Sequence, residues 1–198
     1  MERIALKSYW ATLYTARRKP DLVEVPERHA IAIVETGAPG AETMGPVFAT
    51  LYPVAYALKF AIRAEQAVDY PVLAPEAVFR AADFKKTEGW RWTAGIAVPE
   101  VVDAGALRRA IRSARERHPE TPLLDRVKLA TLPSGMQARI MHVGPYDTEQ
   151  PTIDRLTAFV REAGYRPGRW HIEVYLSDPG RVAPERIRTV IRMSISER

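Results

Sequence analysis

The sequence contains no cysteine, and this absence excludes several classes of protein. Disulfide-stabilised folds, thiolate metal sites and enzymes with a cysteine nucleophile are all ruled out. The four histidines do not occur in an H-E-x-x-H motif or a similar spacing, so we expect neither a metal site nor a cofactor.

Long apolar segments are also missing. No stretch approaches 18 consecutive apolar residues, and the start Met1-Glu2-Arg3 lacks the apolar run of a secretory signal. We therefore expect a cytoplasmic protein that does not bind a membrane. The chain has 198 residues, of which 46% are hydrophobic, and this is enough to bury a sizeable core as a single domain spanning residues 1–198.

The net charge of +5 raises the question of a nucleic-acid partner. The densest basic cluster lies in residues 104–118, where Leu107, Ala110, Ile111 and Ala114 recur at helical spacing. They predict an amphipathic helix whose arginines form a solvated face. Since no DNA-binding motif accompanies this helix, a nucleic-acid partner is not expected, while a weakly bound anionic partner stays open.

The order of predicted elements repeats itself. Strand, helix, strand and strand are predicted at residues 28–36, 46–66, 72–79 and 90–98, and again at 136–143, 151–163, 171–177 and 187–195. Between the two sets, residues 104–118 predict a helix and residues 127–132 a strand that ends at a turn. The sequence thus predicts an α+β fold of two pseudo-repeats, at about residues 22–100 and 124–198.

Helices with one apolar stripe and strands with one apolar face pack as two layers. We therefore expect a pseudo-two-fold antiparallel sheet with the helices on one face and a ligand cleft on the other, where the halves meet. Asp83 and Glu88 flank Lys85-Lys86-Thr87, which predicts a solvated hairpin turn.

The predicted strand at residues 171–177 carries a carboxylate in its middle. Alternation along a strand places His171, Glu173 and Tyr175 on one face and large apolar residues on the other. Such polar groups do not suit a hydrophobic core unless they are paired, so this face lies either in a cleft or in water. A third interpretation is a structural ion pair of Glu173 with Arg188 or Arg192.

The motifs of the C-terminal third occur in a characteristic order. His142-Val143-Gly144-Pro145-Tyr146-Asp147 is followed by a helix, then by His171-Ile172-Glu173-Val174-Tyr175-Leu176-Ser177-Asp178-Pro179, and then by a basic strand. With Trp90-Arg91-Trp92 and the first helix, this order resembles the GyrI-like family of small-molecule-binding domains in its stand-alone branch. The resemblance spans most of the chain and implies a cleft for aromatic, often cationic or electrophilic, compounds.

The resemblance implies that Glu173 is the acid that contacts the ligand, and it defines a set of candidate site residues. The catalytic candidates are Glu173, Tyr146 and Tyr175, and the candidate ligand-binding residues are Trp90, Trp92, Phe79, Glu76, His171 and Tyr56. The duplication aligns Glu76 with Glu173, so two carboxylates are expected to face one cleft. Alternative interpretations stay open for two positions, because Tyr146 could cap a turn and the tryptophan pair could belong to the core.

The chain departs from the family pattern in the E-x-x-W-W run. Phe79 occupies the position of the first tryptophan in that run, and Arg80 occupies the position of the second. A guanidinium is therefore expected where relatives have an aromatic wall.

Two functions follow from the resemblance. Some stand-alone members hydrolyse the strained cyclopropane of DNA-alkylating natural products, and Glu173 activating water with a tyrosine donating to the developing oxyanion would suffice here. The alternative is binding without chemistry, in which the domain sequesters a lipophilic or cationic compound or reports it to a separate regulator. A role in binding a topoisomerase is a third possibility, which the basic surface does not favour.

Overall fold

The computed structural model describes residues 2–3, 10–80 and 89–197. The hairpin predicted around Lys85 lies outside the described residues. The strands are β1 Glu2–Arg3, β2 Asp21–Val25, β3 Arg28–Thr36, β4 Val68–Asp69, β5 Glu76–Arg80, β6 Arg91–Ala97, β7 Lys128–Leu132, β8 Gly135–Val143, β9 Tyr165–Tyr175 and β10 Arg188–Glu197. The helices are α1 Ala41–Gln66, α2 Ala104–Arg117 and α3 Gln150–Glu162.

Eight of the strands form one antiparallel sheet in the order β2-β8-β10-β9-β5-β6-β3-β7. The units β3-α1-β5-β6 and β8-α3-β9-β10 have the same order of elements, and their central strands β5 and β9 pair antiparallel. The predicted α+β class and its duplicated, pseudo-two-fold antiparallel sheet are thus confirmed. The short strands β1 and β4 form a separate parallel pair.

The two outermost strands exchange between the halves. β2 precedes the first repeat in the chain but pairs with β8 of the second, whereas β7 precedes the second repeat but pairs with β3 of the first. Only two residues separate β2 from β3 and β7 from β8. These connected strands lie near opposite ends of the sheet, and a two-residue connection can span only a short distance. The sheet must therefore curl so that its two ends approach each other.

Element boundaries differ from the predicted ones mainly at prolines. The predicted strand 72–79 begins only at Glu76, because Pro71 and Pro75 lack the N–H group that a sheet requires. α1 begins at Ala41, ahead of the predicted Pro46, because the Thr43 hydroxyl accepts a hydrogen bond from the Gly40 N–H (3.0 Å) and caps the first turn.

Both α1 and α3 lie on the same face of the sheet. α1 buries Val47, Leu51, Val54, Leu58 and Ile62, and α3 buries Leu156 and Val160. α1 is long and apolar enough to cross a membrane by length and composition alone, but here its apolar stripe packs in the core.

The opposite face of the sheet is buried rather than open. Arg28, Glu76 and Arg192 point to that face, and each is at most 2% exposed. The expectation of an open cleft opposite the helices is therefore corrected. The segment at Trp10 and Tyr14 packs there, so the side chains of this face are buried within the main hydrophobic core.

The connecting helix α2 matches its prediction. Asp103 caps it by accepting a hydrogen bond from the Ala106 N–H (2.7 Å), and its apolar stripe is buried. The arginines of the helix are exposed, and two of them pair with surface carboxylates: Arg109 with Glu65 and Arg115 with Asp125. The basic cluster is a solvated face.

Candidate functional site

A large cavity lies on the helix-bearing face, between α1, the N-terminal turn of α3 and the end of β9. Its volume is about 1050 Å³, which is enough for a drug-sized ligand. α1 supplies one wall, the segment around Tyr146 the facing wall, and Glu173 with Tyr175 on β9 the floor. The cavity therefore lies where the two repeats meet, as expected, but on the same side of the sheet as the helices.

Glu173 is held in a fixed position on this floor. One carboxylate oxygen accepts a hydrogen bond from the Tyr175 hydroxyl (2.7 Å), and the other lies 2.9 Å from Nε2 of His171. All three residues point to the same face of β9, as the alternation predicted, because residues two apart on a strand share a face. Glu173 is only 9% exposed yet lines the cavity. It does not pair with Arg192, which points to the opposite face.

His171 supports Glu173 from within the core. It is 3% exposed, and its ring lies 6.1 Å from that of Phe79, which itself lines the cavity. His171 is not among the residues that line the cavity. Its position therefore suits orientation of the carboxylate rather than direct contact with a ligand.

Tyr175 and Tyr146 stand beside the carboxylate. Their rings meet edge to face at 5.8 Å, and both line the cavity. Burial, followed by the nearby carboxylates, raises the pKa of Tyr146 to about 12, and burial with Glu173 raises the pKa of Tyr175 well above its usual value. Both phenols therefore remain protonated hydrogen-bond donors near neutral pH. Tyr175 already donates to Glu173, whereas the Tyr146 hydroxyl has no hydrogen-bond partner among the described residues.

A second buried acid, Glu149, lies in the same cavity and was missed from the sequence. It directly precedes α3 and is 6% exposed. Burial, followed by repulsion from Glu173, raises the pKa of Glu149 to about 8, although its place at a helix N-terminus favours the charged form. No periodicity distinguishes it, because it lies in the irregular turn between Tyr146 and the helix.

The α1 wall is aromatic. Phe48, Tyr52 and Tyr56 follow one another at intervals of four residues, so they form a line along one side of the helix. Phe48 packs edge-on against Tyr175 at 5.3 Å. Tyr56 was a predicted ligand-binding residue, and it does line the cavity. The same interval of four would have identified Phe48 and Tyr52 from the sequence.

Glu76 does not share the cavity with Glu173, which corrects the expectation of two facing carboxylates. The β5–β9 register pairs Ala77 with Glu173 and Glu76 with Val174. Directly paired residues of an antiparallel sheet point to the same face, so Glu76 points away from the cavity. The alignment of the repeats was offset by one residue, which is enough to reverse the face.

The tryptophan pair belongs to the core and does not line the cavity. Trp92 is 1% exposed, and its indole N–H donates to the Gly37 carbonyl (3.2 Å). Trp90 is half-buried and packs edge-on against Phe79 at 6.5 Å. Of this aromatic group only Phe79 forms part of the cavity wall. Arg80 is exposed on the other face of β5, so it does not replace an aromatic wall here.

The cavity is acidic although the chain as a whole is basic. Its charged lining residues are Asp147, Glu149, Glu173, Asp178 and Arg181. Arg181 lies 3.2 Å from Asp178, so that pair is internally neutral. Across the described ranges, no group of three or more histidine or acidic side chains is arranged to hold a metal ion. Aromatic walls around carboxylates suit a flat ligand that is cationic or electron-poor.

Fold and cavity together define a small-molecule-binding domain. The sequence matches the family described as GyrI-like small molecule binding domain over residues 18–196. The chain therefore belongs to the GyrI-like family, in agreement with the resemblance seen in its motifs.

Solved structures show the same relationship. A hydrolase from Listeria innocua is 28% identical, with 98% of this chain and 100% of that chain covered and a TM-score of 0.84. An uncharacterised conserved protein from the same organism is 30% identical over the same shares, with a TM-score of 0.85. The C-terminal domain of EcmrR, at 13% identity, shares the fold, with 91% of this chain and 98% of that domain covered and a TM-score of 0.57. A comparison with curated proteins gave no significant match.

Proposed function

We propose that the protein binds aromatic, electrophilic small molecules in this cavity and hydrolyses them, with strained cyclopropane rings of DNA-alkylating compounds as the target. The observation that carries the proposal is Glu173, a carboxylate fixed by His171 and Tyr175 at the floor of an aromatic cavity. Similarity to a Listeria innocua hydrolase along the whole chain supports the same class of activity.

Glu173 has the geometry of a general base. Its two oxygens are each held by one neighbour, and a carboxylate oxygen can accept a further hydrogen bond from a water molecule in the cavity. That water attacks the electrophilic ring carbon as Glu173 takes its proton. A C–O bond forms, the strained C–C bond breaks, and its electron pair moves into the conjugated carbonyl.

Tyr146 is the donor placed to meet the resulting negative charge. Its hydroxyl is available, while that of Tyr175 is engaged with Glu173. A hydrogen bond that strengthens as charge develops lowers the barrier. Phe48, Tyr52 and Phe79 hold the flat ligand against this pair of groups. Such a reaction would detoxify the alkylating agent.

The test follows turnover of a cyclopropane-bearing alkylator of the duocarmycin type by liquid chromatography and mass spectrometry. The wild type should yield a product heavier by one water, and Glu173→Gln should lower the rate at least about 100-fold, the scale of general-base catalysis. Glu162→Gln, an exposed acid at the far end of α3, is the control and should match the wild type. A Glu173→Gln protein with the normal rate would refute the assignment.

Binding without chemistry is the second candidate, and the acidic, aromatic lining favours it for lipophilic cations. It predicts that the wild type binds the compound and returns it unchanged. In that case a cationic aromatic dye should bind, and Glu173→Gln should weaken its affinity, because one cavity carboxylate is lost.

A further inference from the structure

One buried acid in the cavity has no part in the reaction proposed above. Glu149 lines the cavity opposite α1, is 94% buried as a residue, and its Oε1 has no hydrogen-bond partner among the described residues. A buried carboxylate normally has hydrogen-bond donors around it, because an unpaired charge in a low-dielectric interior costs several kcal/mol. An ionised Glu149 would therefore bury one carboxylate oxygen, Oε1, without a donor among the described residues.

The surroundings of Glu149 favour its neutral form. The charged and titratable side chains that line the cavity with Glu149 are Glu173 and Tyr175 of β9, Tyr146 and Asp147 of the preceding turn, Tyr52 and Tyr56 of α1, and Asp178 and Arg181 of the loop after β9. Behind the turn, the ring nitrogens of His142 on β8 lie 3.0 Å from the Thr152 hydroxyl and 3.1 Å from the Pro145 carbonyl oxygen, so both have partners. Thr189 of β10 lies beside Glu149 and partly lowers its pKa. Among the described lining residues Arg181 is the only arginine or lysine, and it is exposed and paired with Asp178.

Glu149 and Glu173 thus form an unequal pair. Glu173 accepts a hydrogen bond from the Tyr175 hydroxyl and lies 2.9 Å from Nε2 of His171, whereas Oε1 of Glu149 is buried with no hydrogen-bond partner among the described residues. Two carboxyl groups in one cavity whose surroundings differ in this way can serve as acid and base in a single reaction.

We propose that Glu149 is the proton donor of the reaction, delivering its proton to the ligand oxygen on which negative charge develops while Glu173 takes a proton from water. This inference rests on the proposed hydrolysis. Water adds across the ring: the C–O bond forms, the C–C bond breaks, and the electron pair reaches the carbonyl oxygen, which Glu149 protonates. Glu173, now protonated, returns its proton through solvent to Glu149. Both carboxyl groups then recover their starting states, and the product is the substrate plus one water molecule.

The tyrosines cannot take this role, although they can assist it. Tyr146 and Tyr175 hold their protons more tightly than a free phenol does, so they donate hydrogen bonds without transferring the proton. With its pKa raised to about 8, Glu149 is both protonated at neutral pH and acidic enough to release its proton. An acid of that strength is close to the optimum for catalysis near neutrality.

The experiment measures kcat and KM from pH 5.5 to 9.5 for the wild type, Glu149→Gln and the control Glu162→Gln, with the duocarmycin-type alkylator as substrate. In the wild type and the control, kcat should fall above about pH 8, where Glu149 loses its proton. Glu149→Gln should lower kcat about 100-fold or more and abolish this alkaline decline, while KM changes less than about threefold. Glu149→Asp, which keeps a titratable proton, should restore part of the rate and the decline.

The outcomes separate the two proposals. If the wild type and Glu149→Gln turn over alike with the same pH profile, the donor role is refuted and the hydrolysis stands. A raised KM with unchanged kcat would make Glu149 a binding contact only and would also refute the donor role. No turnover in the wild type would refute both.

A direct measurement of protonation does not depend on turnover. The carboxyl ¹³C resonance of Glu149, identified by its loss in Glu149→Gln, should titrate with a midpoint near pH 8. A midpoint below pH 6 would mean that Glu149 is ionised at neutral pH, and it would overturn the proposal. Thermal denaturation of each variant verifies that it folds.

Discussion

At the scale of single residues, the environment of a side chain decides its role more than its type does. Glu76, Glu149 and Glu173 are all buried glutamates, yet their surroundings differ. Glu76 lies between two arginines, Glu173 between a histidine and a tyrosine, and Glu149 beside another acid. Burial alone would raise the pKa of Glu76, but Arg192 and Arg28 outweigh it and hold that pKa below its ordinary value.

The protonation of Glu149 makes stability depend on pH. Its pKa is higher in the folded state than in the unfolded chain, so the folded state binds the extra proton and loses stability as pH rises toward 8. Glu149→Gln, which stays neutral, should therefore be more stable than the wild type at pH 9, by several degrees in Tm, and close to it at pH 5. Differential scanning calorimetry at the two pH values tests this, and an equal Tm difference at both would contradict it.

At the scale of elements, the pairing of β9 with β10 depends on a glycine. The register between these strands shifts between Met193 and Ile195, and Ser194 at the irregularity accepts a hydrogen bond from the Trp170 N–H (2.8 Å). A Cβ on Gly168 would lie 2.7 Å from the Ser194 carbonyl oxygen. The strands approach closely here because position 168 has no side chain.

Gly168→Ala should accordingly destabilise the protein by about 1–3 kcal/mol, because backbone rather than a flexible side chain has to move. Urea denaturation at pH 7 measures the effect. Gly45→Ala in α1 is the matched control: a Cβ there meets no atom within 4 Å, and alanine favours a helix, so its stability should be unchanged or up to about 1 kcal/mol higher. Equal stabilities of the two variants would contradict the close approach.

At the scale of the whole molecule, a buried ionic cluster joins the two repeats. Glu76 of β5 accepts hydrogen bonds from Arg28 of β3, from Arg192 of β10 and from the Tyr14 hydroxyl (2.9 Å). One carboxylate thus connects the first repeat, the second repeat and the N-terminal segment. Within the described part of the chain, both guanidinium groups pair with this one carboxylate and with no other acid.

Glu76→Gln should cost about 3–5 kcal/mol in the free energy of unfolding, because it leaves two buried arginines without a counter-charge. Glu24→Gln, an exposed acid on β2, should change stability by less than about 0.5 kcal/mol. Both are measured by urea denaturation at pH 7. A Glu76→Gln protein as stable as the wild type would show that the cluster does not hold the repeats together.

Local periodicity and contiguous motifs are enough to predict the duplicated order of elements, the faces of β9 and the family. An example is the alternation that places His171, Glu173 and Tyr175 on one face of β9. The side of the sheet on which the cavity lies, the different surroundings of Glu76 and Glu173, and the presence of Glu149 in the site follow only from the folded chain. These depend on strand register, sheet curl and burial, in which residues far apart in the chain take part and a one-residue offset reverses the face.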